Sequence, residues 1–417
     1  MSGFRHQLRD LMAEITTVDC HSHTLLRREY YEQGPFDLFT LGSYFQREIY
    51  ALSDDFPGRF FDPQASPAER WAHLREILRR AGNESYWRHY IVTYRELFGL
   101  AEHEVTEANW AALSDCIRTR TADPNWYHEV LTQRARVRTQ VKNIPWFEDW
   151  EPEYFTAVLR MESALQLHEP GVRGQLEQFL GCELRTLRSL REALAELVAR
   201  YQSRGAVGIK LAHAYRRTLH SEPVAEITAS TLFDRALRGE RLAPGDLKRL
   251  QDYVIYYLAG LCTESGLLFD IHTGVQVNGC WIPDSNPLLL LKLIQTFPRT
   301  RFNLYHGGYP WSREIGMMAK HQSNVWLNMA WMYVISMAAS RQVLDEWLDL
   351  VPGYRILGFG SDVGHPEFVH GHLVMAKSCL VDVLARKVKR DYLSREAACS
   401  LAHQLLHDNA VELYGLA

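Results

Sequence analysis

The sequence has no cysteine pair at metal-binding or redox spacing, no apolar run long enough to span a bilayer, no internal repeat and no low-complexity segment. Its seven cysteines, Cys20, Cys116, Cys182, Cys262, Cys280, Cys379 and Cys399, are scattered, so neither a disulfide framework nor a cysteine zinc site is indicated. Charge of one sign is missing too. Forty-six Lys and Arg stand against 50 Asp and Glu, a net charge of −4, which supplies no basic field for nucleic acid or an anionic membrane. Met1 to Asp10 carries Arg5, His6, Arg9 and Asp10 and lacks the apolar core and cleavage site of a secretory signal. With 47% hydrophobic and 23% charged residues, the composition is that of a globular domain. We read a cytoplasmic protein whose partner is a small molecule.

What is present is an alternation of short apolar runs and helix-like stretches. Eight runs read as strands: Thr17–His23, Val137–Val141, Phe155–Leu159, Val207–Leu211, Leu267–His272, Arg301–His306, Asn324–Met329 and Ile356–Ser361. Eight parallel strands with crossover helices close a (β/α)8 TIM barrel, an α/β fold. About a hundred residues separate the first two runs, more than one crossover needs. The expected organisation is therefore a barrel over 1–25 and 132–417, with a helical insertion over 26–131 capping the barrel mouth, because an insertion after a barrel strand emerges on the catalytic face. A second insertion, Ala225 to Gly245, mixes basic and acidic residues and reads as a solvated surface excursion.

The chemistry sits at strand ends. Side chains alternate along a strand, so in Thr17-Val-Asp-Cys-His-Ser-His23 the residues Asp19, His21 and His23 share one face. Two imidazoles at one strand end suit a borderline ion such as Zn²⁺, yet HxH alone is a weak signal. His272 ends the fifth run, followed by Thr273-Gly274; His306 ends the sixth, followed by Gly307-Gly308; Asp362 follows Gly358-Phe-Gly-Ser361. Metal-compatible groups recurring at four strand ends point to a common metal centre, since a closed parallel barrel brings its C-terminal strand ends to one mouth.

These residues resemble the amidohydrolase superfamily in their order: HxH, Lys210, His272, His306, Asp362. Gly208-Ile-Lys-Leu-Ala-His-Ala-Tyr-Arg216, His306-Gly-Gly-Tyr-Pro310 and His407-Asp-Asn-Ala-Val-Glu-Leu-Tyr-Gly415 resemble its amidohydrolase-2 branch. That branch includes the amidohydrolase-like half of some glutamine synthetase fusions and, distantly, uronate isomerases and non-oxidative decarboxylases. The resemblance implies His21 and His23 as ligands, Asp362 as shared ligand or general base, and His272 as a ligand. It implies His306 as a second-metal ligand or a partner of the substrate carbonyl, and Lys210 as either a bridging carbamate or a substrate-binding ammonium. One or two Zn²⁺, or Mn²⁺ or another divalent ion, would be held.

The leading expectation is hydrolysis of an amide or other C–N bond by a metal-activated water, with Asp362, His306 and Lys210 catalytic. Uronate-isomerase-like aldose–ketose conversion and non-oxidative decarboxylation are the alternatives, and a non-enzymatic barrel with a structural metal is a third class. Guanidinium is the usual fork for a carboxylate, so Arg216 and Arg160, with Tyr215, are expected to bind an acidic substrate, and Trp331 to wall the pocket. Arginines that start crossover helices also pair with acidic neighbours such as Glu162, and most such aromatics simply pack. His365, His370 and His372 read as loop histidines facing solvent or supporting ligands; His213 and His220 read the same way. The aromatic-rich insertion is compatible with a homo-oligomer or with packing on the barrel.

Overall fold

The structure is a computed structural model that describes residues 2–42, 62, 64–277 and 281–416. Cys280 and part of the expected insertion, 43–61 and 63, lie outside the described residues. Eight strands, β1 (Thr17–Ser22), β2 (Val137–Ile144), β3 (Phe155–Arg160), β4 (Gly208–Leu211), β5 (Leu268–Ile271), β6 (Arg301–Leu304), β7 (Val325–Asn328) and β8 (Ile356–Leu357), form one sheet in the order β1 to β8. That is the (β/α)8 barrel fold expected from the sequence. The registers from β3 to β7 are parallel, with Lys210 opposite Asp270 and Asp270 opposite Asn303. Every residue of β1, β4 and β5 is buried, so both faces of these strands are covered.

Two strands, β6 and β8, end more than one residue earlier than the apolar pattern predicts. β6 stops at Leu304, and His306 opens a short turn with a left-handed φ of 62°. β8 has only two residues, because the Gly358 N–H turns to the carbonyl of Leu405 at 2.8 Å. Gly360 is required by space: a Cβ there would lie 2.7 Å from the Cβ of Ala330 and 3.3 Å from that of His21.

The chain divides into two compact units. The first comprises Met1–Gln140, Val277–Gly279 and Met329–Val411. The described part of the insertion is helical, as expected. Its helix Pro67–Ala81 starts at Ser66, whose side chain accepts from Glu69 N–H while Glu69 reaches back, a reciprocal cap; Trp71, Leu74, Ile77 and Ala81 make its buried face. The helix Ser85–Phe98 packs on Pro366–Lys389 so closely that a Cβ on Gly371 would collide with Thr93.

Pro366–Lys389 departs from two expectations. It is long and apolar enough by composition to cross a membrane, whereas no such run was expected. Its Phe368, Val369, Leu373, Leu380 and Leu384 are buried and it packs on Ser2–Glu14, Ser85–Phe98 and Met337–Leu350, the surroundings of a core helix. His370 and His372 lie within it and His365 is its N-cap residue, so none is a solvent-facing loop histidine. Pro366 at the first helical position starts the helix directly after His365. Burial pushes His365 and His370 down to about 4 and His372 to about 3.

The second unit, Val141–Gln276, Cys280–Asn328 and Glu412–Ala417, contains β3 to β7. Its segment 225–245 is not a bare surface excursion. The helix Glu226–Leu237 buries Ala229, Leu232, Phe233 and Ala236 and packs on Pro244–Ser265, while Arg235 binds Glu240 and Asp246 at 2.9 and 3.0 Å. The alternating charges mark only the helix's outer side and end.

Candidate functional site

At the ends of β1 and β8, His21, His23 and Asp362 bring three metal-capable donor atoms within 4.8 Å of one another. Asp362 Oδ1 is 3.3 Å from His21 Nε2 and 3.4 Å from His23 Nε2. Ligands about 2.0–2.2 Å from a tetrahedral Zn²⁺ stand roughly 3.3–3.5 Å apart, so both edges fit one small divalent ion. His21 and Asp362 are buried, whereas the His23 side chain is 41% exposed. The site therefore has a dry side and a side that water and a small molecule can reach, as a catalytic rather than a closed structural ion needs.

Local backbone geometry aims these donors. Asp362 has a φ of 52°, a left-handed conformation that costs a non-glycine residue about 1–3 kcal/mol and persists only where neighbours enforce it. Its N–H donates to the carbonyl of His21 at 2.9 Å, and Cys20 N–H donates to Phe359 O at 3.0 Å, which ties the first strand to the last. The preceding residue, Ser361, is held by Asp19: Ser361 N–H and Oγ–H reach the two carboxylate oxygens at 2.7 and 2.6 Å. Gln140 Nε2 donates to Asp19 at 2.7 Å. Burial pushes the Asp19 carboxyl up to about 6 against these hydrogen bonds. The sequence pattern placed Asp19 on the His21 face and missed Ser361 and Gln140, whose ordinary polar side chains carry no local signature; His372, read as a loop histidine facing solvent or supporting ligands, holds the Ser361 carbonyl from within a helix.

A second polar cluster lies on β4 to β6. His306 Nε2 and His272 Nδ1 are 2.9 Å apart, and His272 Nε2 is 2.9 Å from the carbonyl of Val275. A carbonyl only accepts, so Nε2 of His272 carries a hydrogen and, in the neutral ring, Nδ1 accepts from His306. Lys210 is buried with its ammonium 3.2 Å from the centre of the Tyr305 ring, a cation–π contact. Tyr305 Oη donates to Asp270 Oδ2 at 2.6 Å and Asn303 Nδ2 to Asp270 Oδ1 at 2.9 Å. Burial raises the Asp270 carboxyl to about 6, with Lys210 pulling the other way. The alternation placed Asp270 and His272 on one face of β5; the roles of Tyr305 and Asn303 depend on side-chain direction across strands and were not legible.

The remaining expected residues are distributed as follows. Tyr215 is 37% exposed, its ring 4.8 Å from that of His272, and Arg216 is exposed beside it. Arg160 ends β3 in an ion pair with Glu162 at 3.3 Å. Trp331 is buried, with a φ of 64°, edge-on to Tyr86. His213 is buried in the turn after β4, and burial, with Arg217 and His272 nearby, pushes it down to about 3. His220 lies 3.1 Å from Glu222.

A family model described as Amidohydrolase matches residues 184–416, more than half of the chain. The Protein fluG of Emericella nidulans is 29% identical over 223 residues, 50% of this chain and 26% of its own length. A uronate isomerase of Nostoc punctiforme is 24% identical over 291 residues, 63% of this chain and 60% of its own. The matched region thus spans less than two thirds of either relative. Among solved structures, a glucuronate isomerase from Caulobacter crescentus superposes with a TM-score of 0.81 at 17% identity, covering 99% of this chain and 94% of its own. A uronate isomerase from Thermotoga maritima gives 0.82 at 14%, covering 99% and 97%. At these identities the superpositions show the shared fold.

Proposed function

This chain belongs to the amidohydrolase family, a family of metal-dependent enzymes, and we propose that it uses a single divalent ion on a small carboxylate-bearing molecule, with aldose–ketose interconversion of a uronic acid as the first reading. The observation that carries it is the shared approach of Asp362 Oδ1 to His21 Nε2 and His23 Nε2 at 3.3 and 3.4 Å. Zn²⁺ or Mn²⁺ bound by these three would supply Lewis acidity, polarising a substrate oxygen or lowering the pKa of a bound water. His272 and His306, expected as further ligands, bond to each other, and Lys210 lies against Tyr305 and Asp270. Those contacts favour one ion over two and an ammonium over a carbamate.

In the isomerase reading, Asp362 takes the proton from C2 of the sugar acid at its second oxygen, Oδ2, and returns it to C1. The hydroxyl proton crosses from O2 to O1, so no redox partner is consumed. Arg216, with Tyr215 beside it, is the proposed carboxylate fork; Arg160 is engaged by Glu162, and Trp331, buried against Tyr86, acts by packing. His306, whose Nε2–H is given to His272, is oriented by that bond. The likeness to the uronate isomerase of Nostoc punctiforme supports this reading. C–N bond hydrolysis is the second reading, favoured by the family's description; there Asp362 accepts the proton of the attacking water and passes it to the leaving amine.

Metal analysis of the purified protein, with activity assayed after chelation and reconstitution, tests both. One ion per chain with uronate turnover is expected; one ion with turnover only of N-acyl or γ-glutamyl amides would transfer the assignment to hydrolysis, and activity indifferent to chelation would remove both.

A further inference from the structure

The donor atoms come from residues 21, 23 and 362, and the relation between the two chain segments runs through one carboxylate that cannot itself hold the ion. Asp19 is fully buried and both its oxygens are engaged. Oδ1 accepts from Ser361 N–H at 2.7 Å and from His21 N–H at 3.3 Å. Oδ2 accepts from Ser361 Oγ–H at 2.6 Å and from Gln140 Nε2 at 2.7 Å. The third polar group of Ser361, its carbonyl, accepts from His372 Nδ1 at 2.8 Å. The residue before Asp362 therefore has every polar group fixed, and Asp362 itself is pinned at its N–H by His21 O.

This wiring answers the question raised by the left-handed φ of Asp362. A strained residue holds its shape only when its surroundings over-determine it: the peptide entering Asp362 is held at its carbonyl by His372 and at its N–H by His21 O, and Asp19 grips the N–H and hydroxyl of Ser361 just before it. Because the contacts are excluded from water, each is strengthened and each is costly to leave unmade. Asp19 also touches the backbone of His21, so a single group fixes both ends of the 3.3 Å edge between His21 and Asp362.

We infer that Asp19 is a positioning residue that, through Ser361 and the His21 backbone, presets the spacing of His21, His23 and Asp362 for a divalent ion. The inference rests on the single-ion reading above. It places the control of affinity in a residue that never meets the metal, as outer groups commonly tune metal sites by about 10–100-fold.

The test is the affinity of the full chain for Zn²⁺ and Mn²⁺, measured by competition with a chromogenic chelator, beside a thermal melt of each variant. Asp19→Asn, which keeps the shape but loses acceptors, is expected to weaken affinity about tenfold or more. Ser361→Ala, which removes only the Oγ contact, should weaken it about threefold, and it supplies the answer if the Asp19 variant does not fold. Ser22→Ala, which removes a contact to Gln140 but none to Asp19, should bind as the unmodified protein does. Folded Asp19→Asn and Ser361→Ala variants that melt lower yet bind within twofold of the unmodified protein would reduce Asp19 to a stability role and overturn the inference. If the unmodified protein binds neither ion, the single-ion reading itself fails and this inference falls with it; binding by the unmodified protein that the variants leave unchanged removes the inference alone.

Discussion

At the ends of β1 and β8, two imidazoles and a carboxylate converge on one point with an exposed side; on β4 to β6, two imidazoles, a carboxylate and an ammonium turn to each other and to Tyr305. The residue types are nearly the same, so type alone did not decide their fates. In the first region Asp362 Oδ1 faces both imidazoles, its N–H is held by His21 O and Asp19 holds the preceding Ser361, which leaves the donor atoms together. In the second, Asp270 sits beside Lys210 in register and Tyr305 Oη fills its remaining acceptor. One arrangement leaves room for a ligand, whereas the other satisfies its charges internally.

The comparison can be broken most sharply at Asp362. Asp362→Asn retains a metal-binding oxygen but loses the base, so kcat should fall about 10²–10⁴-fold while metal content measured by atomic absorption stays near one per chain. Turnover within a few fold of the unmodified enzyme would make the carboxylate a ligand and nothing more. In the other region the expected loss is of stability. Asp270→Asn leaves the Lys210 charge buried without its carboxylate, which should cost about 3–5 kcal/mol in urea unfolding. Folded protein should still bind metal within twofold, and a parallel loss of affinity would merge the two regions into one functional unit.

Acid offers a smaller and more graded test. His89, His365 and His370 are held down to about 4 and His372 to about 3, chiefly by burial. The folded state therefore binds fewer protons than the unfolded one below the ordinary histidine value of 6.5, so stability is intact above about 6.5 and is lost as the pH falls towards 4. Each histidine contributes about 1.4 kcal/mol per pH unit in that window. Asp19 and Asp270, raised to about 6, act in the opposite sense between about 6 and 4, because the folded state holds their protons more tightly. The net slope should still be destabilising, and His370→Phe should flatten it by one histidine's share in urea titrations across pH 7 to 4.5.

The fold was legible because parallel strands buried on both faces leave apolar runs, and all eight runs mark strands. Their ends were less so. β6 terminates just before the left-handed His306 and β8 where the Gly358 N–H turns to Leu405 O, and the apolar pattern runs on through Phe359 without registering it. The trio His21, His23 and Asp362 could be chosen from strand-end position and residue type. The supports could not: Ser361 and Gln140 are ordinary polar residues until the chain folds, and His365, His370 and His372 looked like loop residues because histidine spacing says nothing about helix burial. For Lys210, sequence left carbamate and ammonium open, and its place over the Tyr305 ring is a cross-strand relation that no local pattern encodes.

The bond from Ser361 N–H to Asp19 spans 342 positions of the chain, and this separation has a temporal meaning. During synthesis the two histidines emerge well over three hundred positions before Asp362, so until then His21 and His23 lack that carboxylate. Closing a loop of this length is an entropic cost that must be met before any local reward, and an ion held by all three donors would then oppose its reopening. Metal uptake would accordingly report that translation has passed Asp362 and that β1 and the segment after β8 have met, making the bound ion a marker of that long-range closure as well as a reagent.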